Sequence, residues 1–140
     1  GWEQKFKLPT YTPADAAQAS RRLSEIVLTA ITPVLPDLIG GSADLTGSNL
    51  TRVKGVTDFQ PPSAGLGIYT GALRSLPQLH AGTYIRYGVR EHGMDAIANG
   101  LAACGGVVPF IATFLNFVAY AAGAVRLSTL SGHQLIWVGE

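Results

Sequence analysis

The stretch TYIRYGVREHGMDAIANGLAACGGVVPFIATF, residues 83–114, decides the fold. Its opening, TYIRYGV, carries Tyr84, Ile85, Tyr87 and Val89 and predicts a strand. At Glu91 the pattern changes. EHGMDAIANGLAACGG sets Met94, Ile97, Leu101 and Ala102 on one helical stripe, with Gly105-Gly106 as the stop. VVPFIATF, 107–114, reads as the next strand. Working outward, ADAAQASRRLSEIVLTAITPVLP (14–36) places Ala17, Leu23, Ile26, Val27, Ala30 and Ile31 at helical intervals until Pro33 and Pro36 end the run. DLIGGSADL (37–45) is a short apolar strand running into Gly40-Gly41, residues 115–131 form a second Ala-rich helix ending at Gly132, and QLIWV is a last strand. Strand and helix alternate from residue 37 onward. The expected fold class is therefore α/β, a mostly parallel sheet of four strands with helices on both faces and right-handed crossovers.

Two segments fall outside this rhythm. Residues 1–13, ending LPTYTP, hold two prolines and no apolar period, so they read as a linker or extended arm before a domain spanning 14–140. Residues 46–83 are rich in Gly, Pro, Ser and Thr and read as one long loop, a feature that is usually functional or disordered.

Composition narrows the function classes. The 140 residues are 47% hydrophobic, enough for a core, and only 14% charged against a usual share of roughly 25%. So little polar surface points to a face that is normally covered. The formal net charge of +1, with scattered Lys and Arg, speaks against a nucleic-acid or anionic-lipid footprint. No apolar run reaches the roughly 18 residues of a membrane span, and GWEQKFKLPT does not read as a signal peptide. Cys104 is alone, which excludes a disulfide framework and a cysteine zinc cluster and favours a reducing, cytoplasmic setting.

Open parallel sheets bind ligands beyond the carboxyl ends of their strands, and three loops lie at such ends: GGSADLTGSN, GVREHG and the TFLNF corner. Glu91 begins a helix, where the macrodipole stabilises a carboxylate by about 0.3–1 kcal/mol. The alternative role is a carboxyl aimed into the crevice to trade a proton with a ligand. Phe114, Phe117 and Tyr120, at i, i+3 and i+6, share a helix face and form either core or a slot that stacks on a flat ring. Asp44 and Ser48 flank a turn and are capping residues or site residues. Arg21 is a solvated guanidinium unless the fold brings it to Ser48, where the two would make an anion site. GLGIYTG, 65–71, has the wrong final spacing for a dinucleotide fingerprint, and His80, His92 and His133 lack metal-ligand spacing, so no metal site is expected.

Taken together, LPTYTP, RRLSE, LIGGSADLTGSNLTR, DFQPPSAG, YIRYGVREHGM, TFLNFVAYAAGAVRLS and SGHQLIWV resemble the pyrimidine-binding domain of the transketolase family in its fungal form. The resemblance implies the thiamine-diphosphate-binding fold, incomplete at its C-terminal end. It implies thiamine diphosphate as cofactor, with a divalent metal, Mg or Ca, held by a domain outside this chain, and a homodimer in which the cofactor lies between subunits. Glu91 matches the glutamate that hydrogen-bonds the aminopyrimidine ring and promotes its imino tautomer. Phe114, Phe117 and Tyr120 match the aromatic pocket around that ring. Asp44 and Leu45 match positions lining the cofactor channel, and Arg21 and Ser48 match groups holding the phosphate of a sugar-phosphate substrate. The implied reaction is transfer of a two-carbon ketol unit between sugar phosphates, in the pentose phosphate pathway.

Departures from the family pattern shape the expectations. The chain starts at what would be an interdomain linker and stops before the histidine-bearing loop and C-terminal domain of the family, so the isolated chain is expected to be inactive. About twelve residues near 72–83, ALRSLPQLHAGT, have no counterpart in the pattern, and a glycine-alanine entry with an HAG ending is what an unspliced intron encodes. Two other readings stand beside the enzyme fragment: a non-catalytic module docking on full-length transketolase subunits, and a non-functional mis-spliced product.

Overall fold

The computed structural model describes residues 4–5, 7–61, 78–79 and 81–140. In chain order these form α1 (Ser20–Ile31), β1 (Leu38–Ser42), α2 (Thr46–Asn49), β2 (Asp58–Phe59), β3 (Gln78–Leu79), β4 (Tyr84–Arg86), α3 (Glu91–Cys104), β5 (Val108–Thr113), a 3₁₀ segment (Leu115–Ala121), α4 (Ala122–Ser131) and β6 (Ile136–Gly139). The strands make one six-stranded sheet in the order β3-β2-β4-β1-β5-β6, with every pairing parallel. The four expected strands are its centre and one edge; β2 and β3 are the additions.

Register shows why the apolar runs face both ways. Phe110 packs with Leu28, Leu38, Val53 and Tyr84, whereas its neighbour Ile111 packs with Ala43, Tyr87, Met94 and Ala98. Successive strand residues point to opposite faces, so one apolar strand feeds two cores, one under α1 and one under α3. The central strand β1 accepts no side chain at two positions: a Cβ on Gly40 would lie 1.8 Å from the Phe110 carbonyl oxygen, and one on Gly41 would lie 1.8 Å from that of Ile85. At the far end of α4, Gly132 takes φ 66° and caps the helix, with backbone N–H bonds to Ser128 and Thr129.

Several expectations are corrected. The first helix begins at Ser20 and not near Ala14, because residues 13–15 form a turn in which the Asp15 carboxylate accepts from the Thr12 N–H and hydroxyl at 2.5 and 2.9 Å. The expected loop 46–83 contains α2, β2 and β3 among the described residues. Of the unusual segment near 72–83, residues 72–77 and 80 lie outside the described residues, as does GLGIYTG; Gln78–Leu79 pairs with β2. The buried stripe of α3 is Glu91, Met94, Asp95 and Ala98, and Ile97, expected inside, is 48% exposed. Two carboxyl groups on a buried face invert the pattern that hydropathy reports.

One face is thinly covered. Between α1 and the sheet a cavity of about 290 Å³ is lined by Val27, Leu28, Ile31, Phe110, Ile136 and Val138. The edge strand β6 leaves Ile136 44% exposed. No helix among the described residues is long and apolar enough to cross a membrane.

Candidate functional site

Because β1, β4 and β5 run parallel and in register, their carboxyl ends and the segments that follow share one edge of the sheet. That edge gathers Asp44 and Leu45, Glu91, and the Phe114 corner. Three segments distant in sequence thus become neighbours through backbone pairing.

Glu91 is the first residue of α3, and its N-cap, Arg90, makes no side-chain capping bond. Glu91 is only 8% exposed, and among the described residues its carboxyl has one hydrogen-bond partner, the Thr113 hydroxyl at the end of β5, which donates to Oε1 at 3.5 Å. Such a long contact leaves most of the acceptor capacity unused. It opens on a cleft of about 390 Å³ lined by Val89, Glu91, Phe117 and Tyr120. A nearly buried carboxyl facing an apolar cleft is arranged to meet a donor from a ligand.

The aromatic residues are aligned by a different helix from the expected one. Leu115–Ala121 is 3₁₀, with Phe114 as its N-cap. At three residues per turn, side chains at i and i+3 eclipse. Phe114 and Phe117 have ring centroids 6.0 Å apart and Phe117 and Tyr120 6.1 Å, with interplanar angles of 40° and 44°. Tyr120 is 70% exposed, which is costly for a core residue and natural for the rim of a slot.

The β1–α2 turn is held from below. The Ser42 hydroxyl donates to Asn49 Oδ1 at 2.7 Å and accepts from the Leu45 N–H at 3.1 Å. Asp44 takes φ 64° in this turn and is exposed, and Ser48 is exposed on α2. Arg21 lies exposed in the first turn of α1. Among the described residues no hydrogen bond or ion pair joins Arg21 to Ser48, so the structure gathers Glu91, Phe117 and Tyr120 around one cleft and does not bring the anion pair into contact. The described residues also hold no cluster of three or more His, Cys, Asp or Glu able to bind a metal.

Sequence reasoning missed the groups that brace this edge. Asp58, 1% exposed, accepts from Arg52 Nε at 2.7 Å and from Arg86 Nε at 2.6 Å. Both guanidinium groups lie over the Tyr84 ring, at 6.0 and 5.7 Å from its centroid, and the Tyr84 hydroxyl bonds Thr46 and Thr51 at 2.8 and 3.0 Å. Burial raises the pKa of Tyr84, with Thr46, Thr51 and Arg86 opposing, and burial raises that of Tyr87 far above the usual phenol range. DFQ and TR, part of the quoted resemblance, were the available signal, but nothing in the sequence says that Asp58 meets two arginines.

Comparison with known proteins gives the family and the fold. Residues 16–139 match the family model described as transketolase, pyrimidine binding domain. The chain is 63% identical over 139 residues to a transketolase of Kluyveromyces lactis, covering 99% of this chain and 19% of that protein. It is 48% identical over 139 residues to one of Nostoc sp., covering 99% and 18%. Among solved structures, a transketolase of Pichia stipitis in complex with sedoheptulose-7-phosphate superposes with a TM-score of 0.82 at 56% identity, over 99% of this chain and 19% of that one. A transketolase from Leishmania mexicana gives 0.80 at 47% identity, over 99% and 18%. The chain spans about a fifth of the length of these relatives.

Proposed function

The chain belongs to the transketolase family, whose pyrimidine-binding domain it matches over residues 16–139, and on that premise we propose that it supplies the aminopyrimidine half of a thiamine-diphosphate site. The observation that carries this reading is Glu91: a residue 8% exposed, with one long hydrogen bond among the described residues, opening on an apolar cleft lined by Val89, Phe117 and Tyr120. The residues fit the group. A flat heteroaromatic ring needs an aromatic wall and a carboxyl able to share a proton with a ring nitrogen, and both are present in one cleft.

Glu91 holds the proton at its Oε atoms and is oriented by the Thr113 hydroxyl and by its place at the head of α3. Phe117 and Tyr120 exclude water from the ring faces and so strengthen that contact. Phe114 abuts Phe117 and sets its tilt. Asp44 and Leu45, at the turn beyond β1, line the channel side, and Arg21 and Ser48, which do not touch each other, each contribute separately to holding the phosphate of a sugar-phosphate substrate, where a guanidinium fork suits phosphate oxygens. When bound, the cofactor supplies the nucleophilic carbon that carries a two-carbon ketol unit. The diphosphate and its divalent metal, Mg or Ca, belong to other parts of a transketolase-length polypeptide. Ketol transfer therefore draws on the diphosphate half of the site as well as on the pyrimidine half that these residues form.

Calorimetric titration tests this. Thiamine diphosphate with magnesium is added to the 140-residue chain alone, and then to the chain mixed with a full-length transketolase subunit. Association with the subunit and a cofactor-binding event lost in Glu91→Gln are the expected results. Ketol transfer by the chain alone, or cofactor binding unchanged by Glu91→Gln, refutes the proposal.

A further inference from the structure

Asp95 lies on α3 one turn beyond Glu91, outside the cleft, and its side chain is fully buried beneath α4 and β6. Its Oδ1 is 3.4 Å from the Ser128 hydroxyl. That hydroxyl also lies 2.6 Å from Asn99 Oδ1 and 3.0 Å from the Ala124 carbonyl oxygen, while Asn99 Nδ2 donates to the same carbonyl at 3.1 Å. Ser128 has one hydrogen and three acceptors around it, and the short contact to Asn99 Oδ1 takes that hydrogen. An ionised Asp95 would then set a lone pair against the lone pair of Ser128, in a site that no ion pair among the described residues reaches. A protonated Asp95 donates instead, so that Asp95 to Ser128, Ser128 to Asn99 Oδ1 and Asn99 Nδ2 to the Ala124 carbonyl each join one donor to one acceptor.

Two further atoms fit this state. Among the described residues, Asp95 Oδ2 and Trp137 Nε1 are both buried without a partner at hydrogen-bonding geometry, an acceptor and a donor from neighbouring elements. Leaving a carboxylate oxygen so placed is far costlier than leaving a carbonyl oxygen. Burial raises the pKa of Asp95; a Ser128 hydroxyl turned toward the carboxylate would oppose that rise, but its hydrogen goes to Asn99 Oδ1, which leaves the Trp137 indole and the His92 ring as the opposing groups. His92 on α3 is exposed; α4 contributes Ser128, β6 contributes Trp137, and β5 carries no titratable side chain. The remaining titratable groups of these elements and the 3₁₀ segment, Glu91, Cys104, Tyr120 and Arg126, make no hydrogen bond or ion pair with Asp95.

We propose that Asp95 is held as the neutral acid and acts as a positioning residue, a proton-dependent clasp between α3 and α4. The clasp sets the distance between Glu91, at the head of α3, and Phe117 and Tyr120, on the segment that runs into α4. Close helix packing supports the lever: a Cβ on Gly123 would meet the His92 ring at 3.3 Å. Deprotonation sets like lone pairs against each other and loosens the pair of helices, so the cleft widens as pH rises. The clasp stands on its own geometry; only its effect on ring binding rests on the proposed function.

The experiment follows the Asp95 carboxyl by carbon-13 NMR across pH, using Asp95→Asn to assign the resonance, with thermal melts at the same pH values. The expected result is a carboxyl that titrates well above the ordinary aspartate range. The parent melting temperature falls across that titration, while Asp95→Asn stays flat and ends about 4 °C higher at the alkaline end. Should Asp95→Asn not fold, Ser128→Ala decides: loss of the proton's acceptor moves the titration down, whereas loss of a donor to a carboxylate moves it up. Titration in or below the ordinary range, an upward move in Ser128→Ala, or a less stable Asp95→Asn at alkaline pH overturns the clasp. Thiamine, added as a ring probe, is expected to bind more weakly with the same midpoint. No thiamine binding at any pH, with the Asp95 titration intact, refutes the functional reading and leaves the clasp standing.

Discussion

Replacing Asp58 by alanine is expected to cost about 3 kcal/mol of folding stability, because it strands two guanidinium groups around a vacated acceptor. The carboxylate is 1% exposed and takes Arg52 Nε at 2.7 Å on one oxygen and Arg86 Nε at 2.6 Å on the other. Deleting one partner of a buried ion pair costs about 3–5 kcal/mol, and an exposed pair is worth about 0–1 kcal/mol. The Arg52 and Arg86 side chains keep 15% and 18% of their exposure, so some water reaches the stranded charges and the lower end of the buried range applies. For a chain of this size about 3 kcal/mol lowers the melting temperature by about 10 °C. Urea unfolding followed by circular dichroism reads the loss as a lower midpoint at unchanged slope. A cycle with Arg86→Met isolates the pairwise part, expected above about 1 kcal/mol for contacting charges. A loss below about 1 kcal/mol for Asp58→Ala, with no coupling to Arg86→Met, refutes the reasoning and reduces the triad to a surface pair.

Met94→Ala empties a fully buried position in the core under α3, and a loss of about 3 kcal/mol in the same urea assay is expected. Gly40→Ala forces a Cβ to 1.8 Å from the Phe110 carbonyl oxygen, so β1 and β5 must part; the expected result is loss of the cooperative melt, and a native-like melt would show that the strands yield. Tyr84 and Tyr87 have folded-state pKa values raised above their unfolded ones, so their contribution is fully present below about pH 10 and is lost as pH rises through the folded values. An alkaline unfolding limb starting near pH 10 is expected, with phenolate absorbance from these two tyrosines appearing only as the chain unfolds. Phenolate absorbance from both in a fully folded chain would contradict that.

How much was legible in the sequence depends on what each position requires of its partners. Tyr84 to Arg86, Val108 to Thr113 and the helix between them are local patterns, and local patterns carried the order of elements and the parallel sheet. The boundaries were harder: the Asp15 side chain turns the backbone at Thr12 to Asp15 and delays α1, a competition between side-chain and helical hydrogen bonds that alanine-rich spacing does not show. The spacing of Phe114, Phe117 and Tyr120 was visible, yet a 3₁₀ backbone aligns them more directly than the α-helix assumed for them.

Sequence alone determined the alternation of strand and helix, the residues at the strand ends, and Glu91 at the head of a helix, because these follow from periodicity and turn chemistry within a few residues. Tertiary structure alone decided which polar groups are inside. Hydropathy places Asp95 and Asp58 on the surface; they are buried because Ser128 lies opposite one, 33 positions away, and Arg86 beside the other, 28 positions away. A buried carboxyl is tolerable only when it is protonated or paired with a counter-charge, and the acceptor for that proton and the counter-charge both come from elements that the chain itself must first fold to bring near.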